Sequence, residues 1–386
     1  MKWEKVRLED CCYSISDGDH QPPPKTQQGI PFVTISNINS MNQLDFSDTM
    51  FVPKEYYQSL DEKRKVRKGD VLYSVVGSFG IPVLIKEERP FVFQRHIAIL
   101  RPKEDIVDSG FLFYTMLSRD FYAKADAVAI GAAQRTVSLG SLRNIKIDVP
   151  SLESQKHIAD ILSAYDDLIE NNQKQIKLLE EAAQRLYKEW FVNLRFPGHE
   201  NTKIVDGVPE GWRISSIYDV FDIKYGKNLP TSKITKVGQY PVYGASGVIG
   251  YYNEKNCDDY VTLVTSRGNG SGDVFRTHHK QSYVTNNSFI ARRNDKNIFI
   301  KNEFTFQLFS NTDFKKLCTG SAQPQLTNTS IQKIKIFLPN RQLIEKYQRC
   351  TIEMSEKQEV LYKEQRALTQ ARNRLLSKLI NGTVEV

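Results

Sequence analysis

Arginine, glutamine and asparagine side chains on turn-rich segments have the most informative chemistry in this chain. Guanidinium and amide groups can make paired hydrogen bonds to the edges of purine bases, which is how proteins read DNA sequence in the major groove. Each of these side chains is also consistent with an ordinary polar loop residue. The candidates for base contacts are Gln94, Arg95, His96, Gln134, Arg135, Arg267, Asn269, Asn286, Asn287, Gln323 and Gln325.

A run of basic residues offers a second kind of contact. Lys63, Arg64 and Lys65 are followed closely by Arg67 and Lys68. Contacts from such cationic side chains to phosphate position a protein on DNA but carry no sequence information. We therefore expect this run to touch a nucleic-acid backbone rather than bases.

The sequence carries no recognisable catalytic motif. It has no GxxxxGK[ST] loop, no Asn-Pro-Pro-Tyr motif for a flipped adenine and no cofactor-binding FxGxG. The glycine cluster at 267–272 lacks the lysine of a phosphate loop, so we predict a turn between strands. Two Asp-x-Lys fragments, at Asp61 and Asp222, lack the second acid of a metal-dependent nuclease. Because the cysteines and histidines show no ligand spacing either, the sequence predicts a non-enzyme with no metal or cofactor of its own.

The net charge of +8 is unevenly distributed. Residues 201–339 contain 18 basic and 11 acidic side chains, whereas residues 1–150 contain 20 and 19. A basic segment fits a phosphate-facing domain, although generic surface lysine gives the same count. The most apolar stretch, 71–85, is interrupted by Ser, Gly and Pro and is too short to cross a bilayer. We expect a cytoplasmic protein, in keeping with cysteines that form no disulfide framework.

The chain contains the same unit twice. GAAQRTVSLGSLRNIKIDVP, from Gly131, matches GSAQPQLTNTSIQKIKIFLP, from Gly320, at a constant offset of 189, with Ala133 on Ala322 and Gln134 on Gln323. Looser matches upstream occur in the same order, including WEKVRLEDCCYSISDG with WRISSIYDVFDIKYG. The identity of Gln134 and Gln323 favours a structural role for them if the two halves read different bases. The variable positions are then the better specificity candidates.

Each repeat divides into a β-rich globular part and a long helix. Runs such as VLYSVV and IKIDV between Gly, Pro and Asn turns predict strands. Ser151 after Pro150 is a plausible helix N-cap with Glu153 in the first turn, and no Pro or Gly follows before Phe191. A second helix is predicted from about Arg341 to Ile380. The predicted boundaries are 1–150 and 201–339 for the globular parts, and 151–196 and 340–386 for the helices.

Both helices carry a heptad pattern, which predicts an antiparallel coiled coil between them. Residues 151–190 are net acidic and residues 341–380 net basic, so the two helices should attract each other. In the second helix the interleaved positions, such as Gln358 and Arg372, are polar. Asn172 either sits in the seam, where it would fix register, or faces solvent at its edge. The predicted seam residues are Leu162, Ile169, Asn172, Ile176, Leu179, Leu186, Met354, Leu361, Leu368 and Leu375.

These features together resemble the specificity subunit of type I restriction–modification enzymes. The resemblance covers the whole chain and is most specific in Ile145–Phe191, IKIDVPSLESQKHIADILSAYDDLIENNQKQIKLLEEAAQRLYKEWF, and in the opening segment Ile15–Ile38. It implies an α+β fold of two similar target-recognition domains separated by two long antiparallel coiled-coil helices, as a pseudo-twofold repeat. The second helix departs from the family, with NRQLIEKYQ where members more often carry a PSLEEQ-like start.

The resemblance implies that the globular halves read a bipartite double-stranded DNA site and that the helices act as a spacer. Its partners would be modification (methyltransferase) subunits, two of them, and a restriction subunit that joins through the complex. S-adenosylmethionine, ATP and Mg would belong to those partners. Three alternatives remain: a stand-alone nuclease, a coiled-coil adaptor that binds protein, and the same subunit in a methylation-only system.

Overall fold

The computed structural model describes residues 3–18, 23–39, 41–132, 134–320 and 323–384. Ala133 and Ala322, which the repeat aligns, lie outside the described residues. The chain forms two compact units: unit 1 contains Met1–Glu170 and Arg366–Val386, and unit 2 contains Asn171–Gln365. Each unit therefore includes a globular part and a segment of both long helices.

The elements of unit 1 follow one another as short strands and helices before one long helix. The strands are β1 Glu4–Arg7, β2 Cys12–Asp17, β3 Ile30–Val33, β4 Met50–Val52, β5 Val71–Ser74, β6 Pro82–Leu84, β7 Val92–Phe93, β8 Ile97–Pro102 and β9 Lys146–Val149. The helices are α1 Leu8–Cys11, α2 Lys54–Ser59, α3 Ser109–Leu117, α4 Arg119–Val128, α5 Leu139–Asn144 and the start of α6 Leu152–Tyr187.

Unit 2 repeats this order after a small hairpin. Its strands are β10 Ile204–Val205, β11 Val208–Pro209, β12 Arg213–Ser216, β13 Phe221–Tyr225, β14 Tyr240–Tyr243, β15 Val248–Tyr252, β16 Thr262–Thr265, β17 Val274–Arg276, β18 Tyr283–Val284, β19 Ser288–Arg293 and β20 Lys335–Leu338. Its helices are α7 Ile217–Val220, α8 Asn302–Ser310, α9 Asn328–Ile331 and the larger part of α10 Arg341–Ile380.

The two units have the same sheet topology. In unit 1 an antiparallel four-stranded sheet has the order β2-β8-β5-β6, a three-stranded sheet the order β4-β3-β7, and β1 pairs with β9. Unit 2 repeats these as β13-β19-β16-β17, β15-β14-β18 and β12-β20. The pairs β3–β7 and β14–β18 are parallel in both cases. The internal repeat seen in the sequence is therefore a repeat of the fold.

The central strand of the four-stranded sheet is buried on both faces, which explains its continuous apolar sequence. In β5, Val71 and Tyr73 belong to the main core of unit 1, whereas Leu72 belongs to a second core on the other face. Leu263 and Val264 of β16 divide between two cores of unit 2 in the same way. Successive side chains of a strand point to opposite faces, so both faces of these sheets must be covered.

Local sequence signals set the bounds of the long helices. Ser151 Oγ accepts a hydrogen bond from the Ser154 backbone N–H at 3.3 Å, which confirms the predicted N-cap of α6. Asn340 Oδ1 caps α10 by accepting from Leu343 N–H at 2.9 Å. The helical path of the first helix continues beyond Tyr187 as a π-helical turn, Lys188–Val192. The second helix has the predicted bounds.

The helix segments are antiparallel within each unit. In unit 1, Arg372 pairs with Asp166, while Ile158 and Leu162 share the main core with Leu379 further along α10. In unit 2, the Tyr347 hydroxyl donates to the Ala183 carbonyl at 3.1 Å and the Tyr362 hydroxyl donates to Glu180 at 3.3 Å. Increasing residue number on α6 thus meets decreasing number on α10 in both units.

In the structure the predicted seam residues are either buried or half-buried. Asn172 is only 4% exposed, which fits the seam position rather than the solvent-facing alternative. The polar positions Gln358 and Thr351 are buried as well, at 3% and 1% exposure. The buried seam residues are Leu162, Ile169, Asn172, Ile176 and Leu361, and the half-buried ones are Leu179, Leu186, Met354, Leu368 and Leu375.

Candidate nucleic-acid interface

Backbone hydrogen bonds bring two of the predicted candidate segments of unit 1 together. The segment that follows β5 lies between them: Val75 N–H donates to His96 O at 2.8 Å, and Gly77 N–H donates to Arg135 O at 2.9 Å. Val137 N–H donates back to Val75 O at 2.9 Å. We call the surface formed by residues 75–77, 94–96 and 134–136 the three-loop surface of unit 1.

Unit 2 has a three-loop surface of the same construction, formed by residues 266–268, 286–287 and 323–325. Ser266 N–H donates to Asn287 O at 2.8 Å and Gly268 N–H donates to Pro324 O at 3.1 Å. Leu326 N–H donates back to Ser266 O at 2.9 Å. Segments far apart in the chain thus converge on one surface in each unit.

The predicted turn at 267–272 is confirmed. Strands β16 and β17 are antiparallel neighbours, and the glycine cluster joins them. Arg267 and Asn269 are both exposed in this turn, and Arg267 is bridged to Gln325 through the backbone. The hairpin therefore holds these two side chains at the unit 2 three-loop surface.

Glycines matched by the repeat shape the third loop of each surface. Gly131 and Gly320 have φ of +93° and +95°, a conformation that is strained for other residues. A Cβ on either would come within 2.5 Å of Gln134 O or 2.8 Å of Gln323 O. The backbone around both glutamines is thus constrained in the same way. Their side chains are exposed, so the structure places them at the surface without assigning them to bases.

Sequence reasoning missed the glycine that ends the first matched segment of each repeat. A Cβ on Gly18 would lie 2.2 Å from Phe93 O, and a Cβ on Gly226 would lie 2.3 Å from Thr285 O. Real side chains do not approach backbone this closely, so only glycine fits unless the turn moves. The available signal was the alignment of these two glycines at the end of the matched segments.

The residue after Gly226 extends the unit 2 surface. Lys227 N–H donates to Val284 O at 3.0 Å, and Asn286 N–H donates to Lys227 O at 3.1 Å. The Lys227 side chain is exposed, as is that of Asn228. The loop after β13 is therefore a fourth segment next to the asparagine turn, and it adds a cation there.

The candidate side chains differ in exposure, in their existing contacts and in charge. Arg135 is half-buried and its guanidinium binds Asp126, donating to the Asp126 carbonyl at 2.6 Å. Burial and the neighbouring Arg95 charge hold the pKa of His96 below its usual value, so this ring is neutral at neutral pH. The exposed candidates are Arg95, Gln134, Arg267, Asn269, Asn287 and Gln323, and the half-buried ones are Gln94, His96, Arg135, Asn286 and Gln325.

The basic run at 63–65 lies against strand β2 rather than within the three-loop surface. The Lys63 carbonyl accepts from Ser16 Oγ at 2.6 Å, and the Lys63 side chain is exposed. The Lys65 ammonium binds Glu62 at 2.7 Å and lies 5.7 Å from the centre of the Tyr57 ring. Arg64 is half-buried. Lys63 is thus the most accessible cation of the three.

Within the described residues, no group of three or more His, Cys, Asp or Glu side chains could hold a metal ion. The five cysteines are unpaired, and Cys11, Cys12 and Cys257 are buried. Burial raises the pKa of Cys11 to about 11 and that of Cys12 to about 12, so their thiols stay protonated. None of the described helices is long and apolar enough to span a membrane.

These observations define a protein with a repeated α+β unit, each copy presenting arginine and amide side chains on one loop surface. The model of the type I restriction modification DNA specificity domain matches residues 1–181 and again residues 209–366. The chain therefore belongs to the type I restriction–modification DNA specificity family and contains its domain twice. Its function is DNA sequence specificity, and the protein-binding adaptor is not favoured.

Individual proteins agree with this assignment over most of the chain. The putative type I restriction enzyme MjaX specificity subunit of Methanocaldococcus jannaschii is 26% identical over 408 residues, which covers 100% of this chain and 94% of the relative. The MjaIX specificity subunit of the same organism is 24% identical over 344 residues, covering 83% and 78%. The crystal structure of the type I restriction–modification system S subunit from M. genitalium has a TM-score of 0.57 at 18% identity, covering 98% and 96%, and shows the same fold.

Proposed function

We propose that each three-loop surface reads one half of a bipartite DNA site. The observation that carries this proposal is that the two surfaces share a backbone hydrogen-bond pattern but differ in the side chains it presents. The turn at 95–96 carries Arg and His, whereas the corresponding turn at 286–287 carries two asparagines. A constant scaffold with variable polar groups is what two different half-sites require.

The chemistry of the exposed side chains suits base reading. In the major groove adenine shows one acceptor, N7, and one donor, N6, and an asparagine amide can bind both. Guanine shows two acceptors, N7 and O6, and an arginine guanidinium can donate to both. Asn287 and Arg267 are exposed on one surface, and Arg95 on the other. The exposed cations Lys63 and Lys227 are suited to phosphate, which positions the protein without specifying sequence.

The long helices supply the second part of the proposal, the docking of modification subunits. Leu168 and Leu178 are 48% and 64% exposed on α6, so apolar surface remains available on this helix. We infer two modification subunits, one for each repeat, with a restriction subunit joining through the complex. The chain itself would be non-catalytic and cytoplasmic. S-adenosylmethionine, ATP and Mg would be bound by those partners, because the methylation and cleavage chemistry would be theirs.

Mapping of N6-methyladenine in a methylation-free host tests the proposal. The host would express the chain with its neighbouring modification subunit, and the modification subunit alone would serve as the control. We expect a new split motif with a fixed gap only when the chain is present. Affinity of the chain for DNA should also fall steeply with salt, because bound phosphates release counterions. A soluble complex that methylates no new motif would refute the proposal.

A further inference from the structure

One arginine of unit 2 joins the globular part to both long helices. Arg276 lies at the end of β17, and its Nη1 donates to Glu303 Oε2 of α8 at 2.6 Å. Its Nη2 donates to Glu180 Oε1 of α6 at 3.0 Å and to Gln358 Oε1 of α10 at 2.6 Å. A single planar guanidinium therefore connects four elements that are distant in sequence.

The partners of this guanidinium are themselves held in place. Glu303 Oε1 accepts from Gln307 Nε2 at 3.0 Å, and its Oε2 also accepts from Ser355 Oγ at 3.3 Å. Glu180 accepts from the Tyr362 hydroxyl at 3.3 Å. Each carboxylate thus has at least one further hydrogen bond besides the one from the arginine, and Glu303 has two.

The cluster is charged and largely buried, with Glu180 as its most exposed member at 37%. The side chains of Arg276 and Glu303 are 11% and 9% exposed, and Gln358 is 3% exposed. Burial acts to lower the pKa of Arg276, but the carboxylates of Glu303 and Glu180 outweigh it and raise that pKa. A buried ion pair adds little stability compared with well-packed apolar side chains, yet it is satisfied in only one arrangement. Such a pair is better suited to fixing an orientation than to stabilising a fold.

The corresponding positions of unit 1 lack this cluster. Strand register places Leu84 where Arg276 lies, since Leu84 pairs with Val71 as Arg276 pairs with Thr262. The first residues of α3 and α8, Ser109 and Asn302, place Gly110 at the position of Glu303, and the caps Ser151 and Asn340 place Ile169 at that of Gln358. Unit 1 instead joins α3 to both long helices through Asp166, which accepts from the Tyr114 hydroxyl at 2.7 Å and pairs with Arg372. The arginine cluster of unit 2 is therefore specific to that unit and is not a general requirement for packing the globular part on the helices.

Unit 2 also has room for the elements to shift. A cavity of about 190 Å³ lies beside the cluster and is lined by Arg276, Glu303, Gln358 and Tyr362. Without the three hydrogen bonds of the guanidinium, neighbouring side chains could move into this space. At this point the ion cluster acts together with the packing of Phe304 against Tyr187 and Tyr347.

We propose that Arg276 is a positioning residue that fixes the orientation of the unit 2 recognition surface on its helix segments. This inference rests on the proposed function, because the orientation matters only if the three-loop surface reads a half-site. Each added base pair rotates a half-site by about one-tenth of a helical turn. A surface free to rotate would accept half-sites at gaps that the rigid surface rejects. Loss of Arg276 should thus relax the gap without changing the bases read.

We test this role with three variants of the full chain. Each variant is coexpressed with the modification subunit in the methylation-free host. Arg276→Met removes the charge, and Arg276→Lys keeps the charge but cannot reach all three acceptors. The third variant combines Arg276→Leu, Glu303→Gln and Gln358→Ile, which removes both buried charges and takes Leu and Ile from the matching positions of unit 1. For each variant, the methylation at gaps one base pair longer or shorter is measured together with the melting temperature of the complex.

We expect Arg276→Met to raise methylation at the neighbouring gaps about tenfold relative to the native gap, with both half-site sequences unchanged. Arg276→Lys should be intermediate. The triple variant should recover the melting temperature while the gap stays relaxed, a combination that a merely structural role would not give. A gap preference that returns with the melting temperature would overturn the inference, as would an unchanged preference in Arg276→Met. Failure of all three variants to give soluble complex would overturn it too, by making the cluster a folding requirement.

The two proposals fail in different ways. A wild-type chain that directs no bipartite motif would refute the proposed function and, with it, this inference. A bipartite motif whose gap preference is insensitive to Arg276 would refute the positioning role alone.

Discussion

Gly226 offers the sharpest test of whether the asparagine turn of unit 2 takes part in reading DNA. The substitution Gly226→Ala adds one methyl group at a site where the Cβ would lie 2.3 Å from Thr285 O and 2.4 Å from Val284 O. Both atoms belong to the backbone, so no side chain can rotate away to make room. The substitution must therefore displace either the end of β13 or the turn that carries Asn286 and Asn287.

The size of the displacement follows from these distances. Ordinary van der Waals contact of a Cβ begins at 3.4 Å, so the backbone must give way by about 1 Å. Overpacking of this kind costs about 1–3 kcal/mol of stability. A shift of that size also breaks paired hydrogen bonds from a side chain to a base, each worth about 1–3 kcal/mol of discrimination. Loss of one such contact corresponds to a drop of about 5- to 150-fold in preference for the native half-site.

The assay is the N6-methyladenine map, scored separately for each half-site. Gly226→Ala should lower methylation of the motif and relax the bases of the half-site that unit 2 reads, while the other half-site keeps its sequence. Gly18→Ala is the reciprocal variant, because its Cβ would lie 2.2 Å from Phe93 O in unit 1. Gly140→Ala is the matched control, since its nearest atom is Ser138 Oγ at 3.8 Å and alanine favours the helix α5.

Two results would refute this reasoning. Full methylation of the unchanged motif by Gly226→Ala would mean that the asparagine turn does not contact bases. Equal loss at both half-sites would mean that the substitution acts through general instability, which the melting temperature of the complex would reveal. The Gly140→Ala control should leave the motif and its methylation level as in the wild type.

Four further perturbations address the DNA contacts, the spacer and the seam. Arg267→Ala should lower the discrimination between bases at one position of the motif by about 1–3 kcal/mol. Lys63→Ala should weaken DNA binding at all sequences and reduce the slope of affinity against salt by about one charge. Affinities measured on matched and mismatched duplexes distinguish the two, and a sequence-specific effect of Lys63→Ala would contradict its assignment to phosphate. Deletion of four residues between Ile158 and Trp190, about one helical turn, should change the tolerated gap or abolish assembly, while the sequences of both half-sites stay the same. Methylation at the original spacing would contradict the spacer role. Asn172→Leu should raise the melting temperature, because the buried Nδ2 of Asn172 has no hydrogen-bond partner among the described residues. An unsatisfied buried group of this kind costs about 1–3 kcal/mol of stability. An unchanged or lower melting temperature would show that the amide is hydrogen-bonded in solution.

The repeat and the helix bounds were accessible from the sequence because their signals are local. Ser151 caps the first helix through Ser154, three residues away, and an uninterrupted run without Pro or Gly carries it to the π-helical turn. The second helix was bounded by the same kind of local signal, since Asn381-Gly382 follows its last residue. The turn at 267–272 was likewise predicted, since glycine spacing within a few residues decides a hairpin.

The seam of the second helix contains polar residues whose partners could not be predicted from local signals. Gln358 and Arg372 interrupt the apolar heptads, and nothing in the sequence indicates what they meet. In the structure Gln358 accepts from Arg276 and Arg372 pairs with Asp166, so both polar positions are satisfied inside their units. Polar groups at a helix interface depend on partners from other elements, which a periodicity argument cannot supply.

The sequence by itself determined the family, the two repeats, the element types and the pool of candidate side chains. All of these depend on residue identity or on spacing within one segment. Only the tertiary structure decided which candidates share a surface, because the hydrogen bonds of Val75 to His96 and of Gly77 to Arg135 join segments far apart in the chain. Close approaches such as Gly226 against Thr285, and the contacts of Arg276, likewise exist only once distant segments pack together.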